Sequence, residues 1–371
     1  MSAGSTVSLD PSQFVVATFD LPPASIGQEP VQLTDGAARE SFHWAATERL
    51  DGLWCAAATA GALRMSDAAL AAGRAGHLEL LRRAVTCEAT GAEAVSALTA
   101  AGVPSWLHKG IAVAQLDHLD PARRSFTDVD VLVGRDHLLA ATGALQRAGF
   151  MRVEAAQYEW WERRFARSVV LRSADGVELD LHATVATGWF GEVLDHAALC
   201  RGLGDPVVLG GVTCRGLTPS ARFLVSCYAA ELSRGPGLRY LRDLAQQLLV
   251  TECDWRGAVR LAGHERGDVV VARALLRATA TLRLDRAHPA VQWALEVRPE
   301  GRAARALEHA ESAEVHGWRS DARSALMAFG PIDRFRFLVG VVVPPREVRA
   351  SRGWALRDQP RRAARFLRVG R

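Results

Sequence analysis

The sequence predicts an α+β fold, in which a small mixed β-sheet is flanked by N-terminal and C-terminal helical regions. Apolar residues recur at helical spacing before about residue 102 and again after about residue 218, and between these stretches they alternate with polar residues in short runs. Hydrophobic residues make up 49% of the 371 residues, which is enough for more than one core. The same patterns divide the chain into an N-terminal arm (1–40), an N-terminal helical region (41–102), a sheet-containing core (103–217), a C-terminal helical domain (218–330) and an arginine-rich tail (331–371).

The first hundred residues are predicted to be mainly helical. The N-terminal arm is rich in turn-forming residues and contains one β-like patch, Phe14–Phe19, which predicts a single strand. Leu78, Val85 and Leu98 belong to an apolar series with steps of three, four and seven residues, so we expect an amphipathic helix there. Gly102 is placed to end this helix.

The middle of the chain is predicted to alternate between strands and helices. Thr127–Val133 shows the period of two that is typical of a half-buried strand, because its acidic residues fall on one face and its valines on the other. The predicted elements are strands at Val103–His108 and Thr127–Val133, helices at Ile111–Leu116 and Arg135–Ala148, and a hairpin of Ser168–Arg172 with Val177–His182. After Thr218, apolar stripes within Leu238–Leu249 and Val269–Leu284 predict helices again.

Composition excludes several classes of protein. The longest apolar run, Phe337–Val343, has seven residues and is too short for a helix that crosses a membrane. The first twelve residues have neither the basic start nor the apolar stretch of a secretory signal, so we expect a cytoplasmic protein. The six cysteines include no Cys-x-x-Cys pair, so no cysteine zinc site is predicted and the thiols should stay reduced.

Lys109 is the only lysine among the 45 basic residues. His108 precedes it and Gly110 follows it, so the P-loop, which requires Gly-Lys-Ser/Thr, is excluded. A glycine lets a phosphate approach the backbone, a helix N-terminus offers free N–H groups, and a lysine adds a point charge. Lys109-Gly110 therefore predicts a phosphate-binding turn between a strand and a short helix.

Acidic residues two positions apart on two predicted strands form a second candidate site. Asp128 and Asp130 share one face of the first strand, and Glu178 and Asp180 share one face of the second. Neighbouring carboxylates repel one another unless a divalent cation lies between them, and oxygen ligands favour Mg²⁺ or Mn²⁺ over zinc. A third carboxylate on a neighbouring strand would complete a two-metal site for phosphoryl displacement. The sequence leaves open which residue of the second strand supplies it.

Three segments together resemble a known family. They are Trp106–Gly110, Arg124–Val133 and Glu178–His182, and they are similar to the motif series LKG…RPxGDxDLLV…LH. This series belongs to a poorly characterised bacterial nucleotidyltransferase family within the DNA polymerase beta-like superfamily. Arg239–Leu244 and Asp254-Trp255 are similar to its downstream helical motifs, so the resemblance extends over about residues 45–345. The chain departs from the pattern at His108, where the family usually has an apolar residue, and at Ile111 after the glycine.

The resemblance implies an enzyme that moves a nucleoside monophosphate group from a nucleoside triphosphate, ATP included, to an acceptor with release of pyrophosphate. It implies a mixed sheet with flanking helices and two Mg²⁺ ions, for which Mn²⁺ can substitute. By position, Asp128 and Asp130 would ligate the metals, and Asp180 would be the third ligand or the base that activates the acceptor hydroxyl. The nucleotide-binding residues implied in the same way are Lys109 and Gly110 for the triphosphate, and Arg124 for a phosphate.

Two other functions remain open from the sequence. The first is a catalytically silent nucleotidyltransferase fold that recruits a partner through its helical domains and basic tail; the three carboxylates favour the enzyme, because a retired site has no physical need for clustered negative charge. The second is RNA modification, and it ranks below a small-molecule, peptide or protein acceptor because no aromatic stacking pattern accompanies the arginines of the tail.

Some charged residues have simpler interpretations. Arg239 and Asp243, four residues apart, predict an ion pair on a helix surface, and His182 is predicted to support a metal ligand rather than to be one. Residues 334–371 carry a net charge of +9, against +4 for the whole chain. Arg361, Arg362, Arg365 and Arg368 recur at helical spacing, which favours a solvated helix face over a docking site for an anionic partner.

Overall fold

The computed structural model describes residues 8–22, 29–202, 204–232, 237–316 and 318–354. Within these ranges the helices are α1 (Pro11–Thr18), α2 (Asp35–Thr47), α3 (Asp51–Thr59), α4 (Asp67–Ala100), α5 (Lys109–Asp117), α6 (Leu138–Arg147), α7 (Glu159–Phe165), α8 (Gly188–Val193), α9 (His196–Leu199), α10 (Pro219–Leu232), α11 (Leu238–Leu249), α12 (Trp255–Ala262), α13 (Asp268–Leu282), α14 (Pro289–Glu296), α15 (Gly301–His316), α16 (Trp318–Leu326), α17 (Pro331–Val342) and α18 (Arg346–Ser351). The strands are β1 (Val31–Gln32), β2 (Leu63–Arg64), β3 (Ser105–Leu107), β4 (Asp128–Val133), β5 (Met151–Arg152), β6 (Ser168–Arg172), β7 (Glu178–His182), β8 (Pro206–Leu209) and β9 (Val212–Arg215).

The central sheet has five strands in the order β3-β4-β7-β6-β5. The strands β4 and β7 are parallel, whereas the other neighbouring pairs are antiparallel. This confirms the predicted α+β class with a small mixed sheet and helices before and after it. The predicted hairpin is β6 with β7, and β4 enters the sheet between β3 and β7 as a central strand.

Alternation along β4 and β7 gives the sheet two different faces. Val129, Val131 and Leu179 are fully buried and pack in one hydrophobic cluster with α4, α5 and α6. The acidic residues of both strands lie on the opposite face, and further along that face Leu132 joins a second cluster. One side of the sheet is therefore a packed core, and the other carries the polar side chains of the candidate site.

The long helix α4 was predicted, but its buried stripe differs from the predicted one. Ser66 caps its N-terminus by accepting a hydrogen bond from the backbone N–H of Ala69. Leu78 and Val85 are 49% and 64% exposed, so they do not belong to the buried face. Leu98 is buried as predicted, and the buried stripe that leads to it runs through Ala84, Cys87, Gly91, Ala94 and Val95. Most of these buried residues are small, so the helix can approach β4 closely. A prediction based on leucine and valine alone does not indicate a stripe of small residues.

The predicted strand at Phe14–Phe19 is wrong, because residues Pro11–Thr18 form helix α1. Asp10 accepts from the backbone N–H of Gln13, the Gln13 side chain accepts from the backbone N–H of Asp10, and Pro11 occupies the first turn. This capping box with an early proline overrides the β preference of phenylalanine and valine. The Asp-x-x-Gln spacing was the signal in the sequence that could have identified the helix.

Helices that precede the central sheet in the sequence share one core with helices that follow it. Val16 of α1 and Trp54 of α3 are fully buried in the same cluster as Phe223 of α10 and Leu241 of α11. Further along the chain, Phe337 of α17 packs against Phe165 of α7. The predicted arginine-rich tail thus begins with packed helices, while Arg361, Arg362, Arg365 and Arg368 lie outside the described residues. In the part of the chain that the structure describes, no helix is both long and apolar enough to cross a membrane.

Candidate active site

The register of β4 against β7 determines which carboxylates lie side by side. Asp130 is the direct partner of Asp180, and Asp128 is the direct partner of Glu178. In a parallel pair, partner residues project from the same face, so all four carboxylates share one side of the sheet. Glu178 is exposed and pairs with Arg172 on β6 at 2.7 Å, whereas Asp180 reaches His182. Of the two candidates for the third carboxylate, Asp180 is the one that lies beside Asp130 and contacts the same histidine, His182.

Lys109, Asp130 and His182 meet at the centre of the candidate site. The Lys109 ammonium lies 2.6 Å from Asp130 Oδ1 and 3.1 Å from His182 Nε2. His182 Nε2 in turn lies 2.8 Å from Asp130 Oδ1 and 3.1 Å from Asp180 Oδ2. The structure therefore brings the predicted lysine together with two of the three predicted aspartates. Asp128 lies at the exposed start of β4, two residues before Asp130.

The turn between β3 and α5 positions Lys109. The backbone N–H of His108 donates to the carbonyl of Asp130 at 3.2 Å, which extends the β3–β4 pairing up to the lysine. Lys109 then takes a left-handed backbone conformation, with φ of +52°, which L-residues other than glycine rarely adopt. Strained positions of this kind cluster at functional sites. A Cβ added to Gly110 would lie 2.7 Å from the Cβ of Phe126, so packing alone requires a glycine there, and a role in phosphate binding stays a prediction.

His108 is a member of the site that the sequence indicated only as a departure from the family pattern. Its ring is 1% exposed and meets the His182 ring edge-on, with centroids 4.7 Å apart. Neither ring nitrogen has a hydrogen-bond partner among the described residues. Burial, together with the nearby His182 and Lys109, lowers the pKa of His108 well below its usual value, so the imidazole is neutral at neutral pH. Its position beyond β3, opposite Asp130, could have been found from the predicted strand by counting alternate residues.

The electrostatics of the three aspartates differ. Burial raises the pKa of Asp130, but the Lys109 charge and a hydrogen bond from His182 outweigh it and lower that pKa far below its usual value. Burial also raises the pKa of Asp180, but the nearby His182 and a hydrogen bond from it outweigh burial, and the resulting pKa is about 2. The pKa of Asp128 is raised, first by desolvation and then by the charge of Asp130. Asp128 is thus the carboxylate whose charge is least compensated.

The donor atoms fit a divalent cation. Ligand atoms of His108, Asp130 and His182 all lie within 4.8 Å of one another. Asp180 Oδ1 is buried and has no hydrogen-bond partner among the described residues, which is costly unless something else satisfies it. A neutral imidazole and ionised carboxylates are the protonation states that metal binding requires. Carboxylates suit Mg²⁺ and Mn²⁺, while imidazole nitrogens add affinity for Mn²⁺ and later transition metals.

Arg124 is engaged in a buried ion pair. Its Nε and Nη2 donate to the two carboxylate oxygens of Asp243 at 2.8 and 2.9 Å, and its Nη1 donates to the carbonyl of Ser125. Both side chains are at most 3% exposed. The predicted surface pair between Arg239 and Asp243 is therefore wrong, because Asp243 lies within the buried stripe of α11 and faces Arg124. Phosphate binding by Arg124 stays a prediction, and its contacts in the structure connect the loop before β4 to α11.

Comparison with known proteins gives an extensive match to a sequence family. The sequence model of a family described as uncharacterised nucleotidyltransferase matches residues 37–283, which include every candidate site residue. No curated protein is similar enough to the chain to match it. A solved structure described as an antigenic nucleotidyltransferase-like protein from Paracoccidioides brasiliensis is 17% identical, with coverage of 57% of this chain and 93% of that chain and a TM-score of 0.27. That score is too low to support a conclusion about this chain.

Proposed function

This chain belongs to the uncharacterised nucleotidyltransferase family, and we propose that it is an active enzyme that moves a nucleotidyl group from a nucleoside triphosphate to an acceptor hydroxyl. The parallel pairing of β4 with β7 is the observation that carries the proposal, because it places Asp130 beside Asp180 on one face of the sheet. Lys109 and His182 complete this face within 3.1 Å. The order of the motifs also leads us to propose membership of the DNA polymerase beta-like superfamily.

The proposed reaction is an in-line displacement at the α-phosphorus. A bond forms between the acceptor oxygen and this phosphorus, the bond to the oxygen that bridges to the β-phosphate breaks, and pyrophosphate leaves. The hydroxyl proton is released to water. A divalent ion, Mg²⁺ or Mn²⁺, would supply Lewis-acid stabilisation of the phosphate charge when Asp128, Asp130 and Asp180 hold it.

Asp180 acts as a ligand in this proposal, rather than as the base. A general base works best when its pKa is near the working pH, and the pKa of Asp180 is about 2. Its fixed negative charge and its partnerless Oδ1 instead suit cation binding. His182 orients this carboxylate, because the same nitrogen contacts both Asp180 and Asp130.

Lys109 supplies a permanent positive charge. Burial lowers its pKa, but the charges of Asp130 and Asp180 more than offset this and raise the pKa above its usual value. The Lys109 side chain is 21% exposed, so part of it can face a ligand. We propose that it moves from Asp130 toward the donor's phosphates when the cation binds, since both cations compete for Asp130 Oδ1.

The site favours the enzyme over a catalytically silent binding module. A module without turnover would gain nothing from an Asp128 whose pKa is raised by desolvation and by the charge of Asp130, because this arrangement raises the free energy of the folded state. The acceptor is a small molecule, peptide or protein in our proposal, and a nucleic acid ranks below these.

The experiment is to incubate the protein with each nucleoside triphosphate and Mg²⁺ or Mn²⁺, and to measure pyrophosphate release and labelled adducts. We expect Asp128→Ala, Asp130→Ala and Asp180→Ala each to reduce turnover by roughly a hundredfold or more, on the scale of losing a preorganised electrostatic contact. Unchanged nucleotide binding and turnover in the first two variants would show that the proposed enzyme does not exist.

Glu178→Gln is the matched control for this experiment. It removes a carboxylate from the same strand and the same face as Asp180, but its partner is Arg172 on β6. We expect turnover close to that of the unaltered protein. A loss as large as that of Asp180→Ala would mean that Glu178 is the third carboxylate.

A further inference from the structure

Three arginines from separate helical segments surround the start of β4, and we call them the rim arginines. Arg49 follows the end of α2, Arg83 lies in α4, and Arg239 lies in the first turn of α11. All three are partly exposed. None of them belongs to the lysine–aspartate–histidine centre, and the family resemblance gave none of them a role.

Two rim arginines contact the residue immediately before Asp128. Arg49 Nη2 donates to the hydroxyl of Thr127 at 3.0 Å, and Arg83 Nη2 approaches the Thr127 carbonyl at 3.4 Å. The Arg49 guanidinium is also close enough to Asp128 for each charge to shift the pKa of the other group. Thr127 thus connects the N-terminal helices to the start of the carboxylate-bearing strand.

The rim arginines have no carboxylate partner within 4 Å among the described residues, whereas several other partly buried arginines do. Arg135 and Arg152, for example, pair with Glu192 and Glu162. Asp51 is near Arg49, but its two oxygens are taken by the imidazole of His77 and the hydroxyl of Ser125. None of the three guanidinium groups therefore makes a direct ion pair among the described residues, and the charge of Asp128 acts on Arg49 only at longer range.

The backbone of Arg49 is a second, independent observation. The N–H of Leu50 donates to the carbonyl of Ala45, and the N–H of Arg49 donates to the carbonyl of Ala46, as in a Schellman motif at the end of a helix. Arg49 has φ of +61°, at the position where glycine is the usual residue. An arginine at such a position is conformationally unfavourable, although its Nη1 also donates to the carbonyl of Ala46 in the last turn of the helix at 3.4 Å.

Electrostatics supports the same conclusion. Burial, then the charge of Arg239, lowers the pKa of Arg49, while the charge of Asp128 raises it. Arg239 lies over the ring of Tyr240, with its guanidinium carbon 5.0 Å from the ring centroid. Arg49 and Arg239 thus repel each other in the absence of a ligand, and an anion between them would relieve this repulsion.

We infer that the rim arginines form a polyphosphate-binding site for the β- and γ-phosphates of the donor. Planar guanidinium groups bind phosphate oxygens through paired N–H donors, and two or three of them suit a chain of phosphates better than a single ion. This inference rests on the proposed function for the identity of the donor, but the site itself can be tested without turnover. It assigns binding of the donor's β- and γ-phosphates to Arg49 and Arg83, because Arg124 is already paired with Asp243.

The test measures binding of inorganic tripolyphosphate by isothermal titration calorimetry, with EDTA present so that metal ions play no part. The variants are Arg49→Gly and Arg83→Gln. Glycine relieves the unfavourable φ at position 49, so Arg49→Gly should fold as well as the unaltered protein. Each charged hydrogen bond that is lost should weaken binding about ten- to a hundredfold.

Arg82→Gln is the matched control, because Arg82 is the neighbour of Arg83 on α4, is 68% exposed and already pairs with Glu79. It should bind tripolyphosphate as the unaltered protein does. The inference is overturned if the unaltered protein does not bind tripolyphosphate, or if Arg49→Gly and Arg83→Gln both bind it as tightly as the unaltered protein does. Either result leaves the proposed reaction untouched. Binding that depends on Arg49 and Arg83 supports it, even when no nucleoside triphosphate is turned over.

Discussion

At the scale of single residues, the three aspartates of the candidate site do not contribute equally to stability. Lys109 and His182 compensate Asp130, and His182 compensates Asp180, so that both have a lowered pKa. Asp128 is the exception, because desolvation and the charge of Asp130 raise its pKa. A carboxylate whose pKa is raised by its surroundings is typical of a residue kept for function.

Asp128→Asn should therefore stabilise the protein while it abolishes turnover. An acid with a raised pKa binds its proton more tightly in the folded state than in the unfolded state. The free energy of unfolding then falls as the pH rises from the usual value of 3.8 through the raised pKa, and the deficit persists at neutral pH. Urea unfolding at pH 7 should show a higher midpoint for Asp128→Asn.

The matched control is Asp175→Asn, at an exposed turn position between β6 and β7. It should leave both the urea midpoint and turnover unchanged. A lower midpoint for Asp128→Asn than for the unaltered protein would mean that Asp128 is stabilised in the folded state, contrary to the raised pKa.

At the scale of secondary-structure elements, the buried pair of Arg124 with Asp243 connects the sheet to the helical region. Arg124 lies just before β4, and Asp243 lies in the middle of α11. The same helix carries Arg239 and Tyr240 at its start, so the ion pair fixes where these side chains lie relative to Asp128. A buried bidentate pair is strongly directional, and this makes it suitable for setting the position of one element on another.

Arg124→Met should reduce the free energy of unfolding by about 3–5 kcal/mol, because it leaves the Asp243 carboxylate buried without a partner. The double variant Arg124→Met/Asp243→Leu should recover most of this loss, since apolar side chains can fill the same space. Equilibrium unfolding in urea measures both.

The exposed pair of Arg163 with Glu159 provides the comparison, because its side chains are 62% and 73% exposed. Glu159→Gln should change the free energy of unfolding by no more than about 0.5 kcal/mol. An Arg124→Met protein of normal stability that has lost nucleotide binding would instead support the phosphate-binding role expected from the resemblance.

At the scale of the whole molecule, α7, α16 and α17 pack around a core whose buried residues differ from those of the candidate site. Phe337 packs against Trp161, Phe165 and Phe329, with ring centroids 5.8, 5.4 and 5.5 Å away. The buried residues of this aromatic cluster are distinct from those of the cluster that supports β4 and β7, although Trp161 packs against both clusters. Losses of packing there should affect stability more than chemistry.

Phe337→Ala should lower the free energy of unfolding by roughly 3 kcal/mol, because it leaves a cavity at a side chain that is 7% exposed. Turnover measured well below the unfolding transition should be nearly unchanged. Phe335→Ala, two residues earlier and 69% exposed, is the control and should alter neither quantity. A large loss of turnover in folded Phe337→Ala would show that α17 influences the site.

Prediction from the sequence succeeded for the elements whose signals are local. The strand Asp128–Val133 and the hairpin of Ser168–Arg172 with Glu178–His182 follow from alternation and a turn. Residue preference alone predicts a strand at Phe14–Phe19, whereas the capping box makes Pro11–Thr18 a helix. Asp243 was misplaced because spacing along one helix cannot show that Arg124, 119 residues away in the sequence, is its partner.

The sequence by itself determined the α+β class, the face of each strand on which the carboxylates lie, and the family to which the chain belongs, because periodicity and short motifs are properties of neighbouring residues. Only the tertiary structure decided that β4 pairs in parallel with β7, that Asp180 rather than Glu178 approaches the centre, and that His108 joins it. The physical reason is that these contacts join segments far apart in the chain. Their geometry depends on how the helices and the sheet pack together, and no local pattern records it.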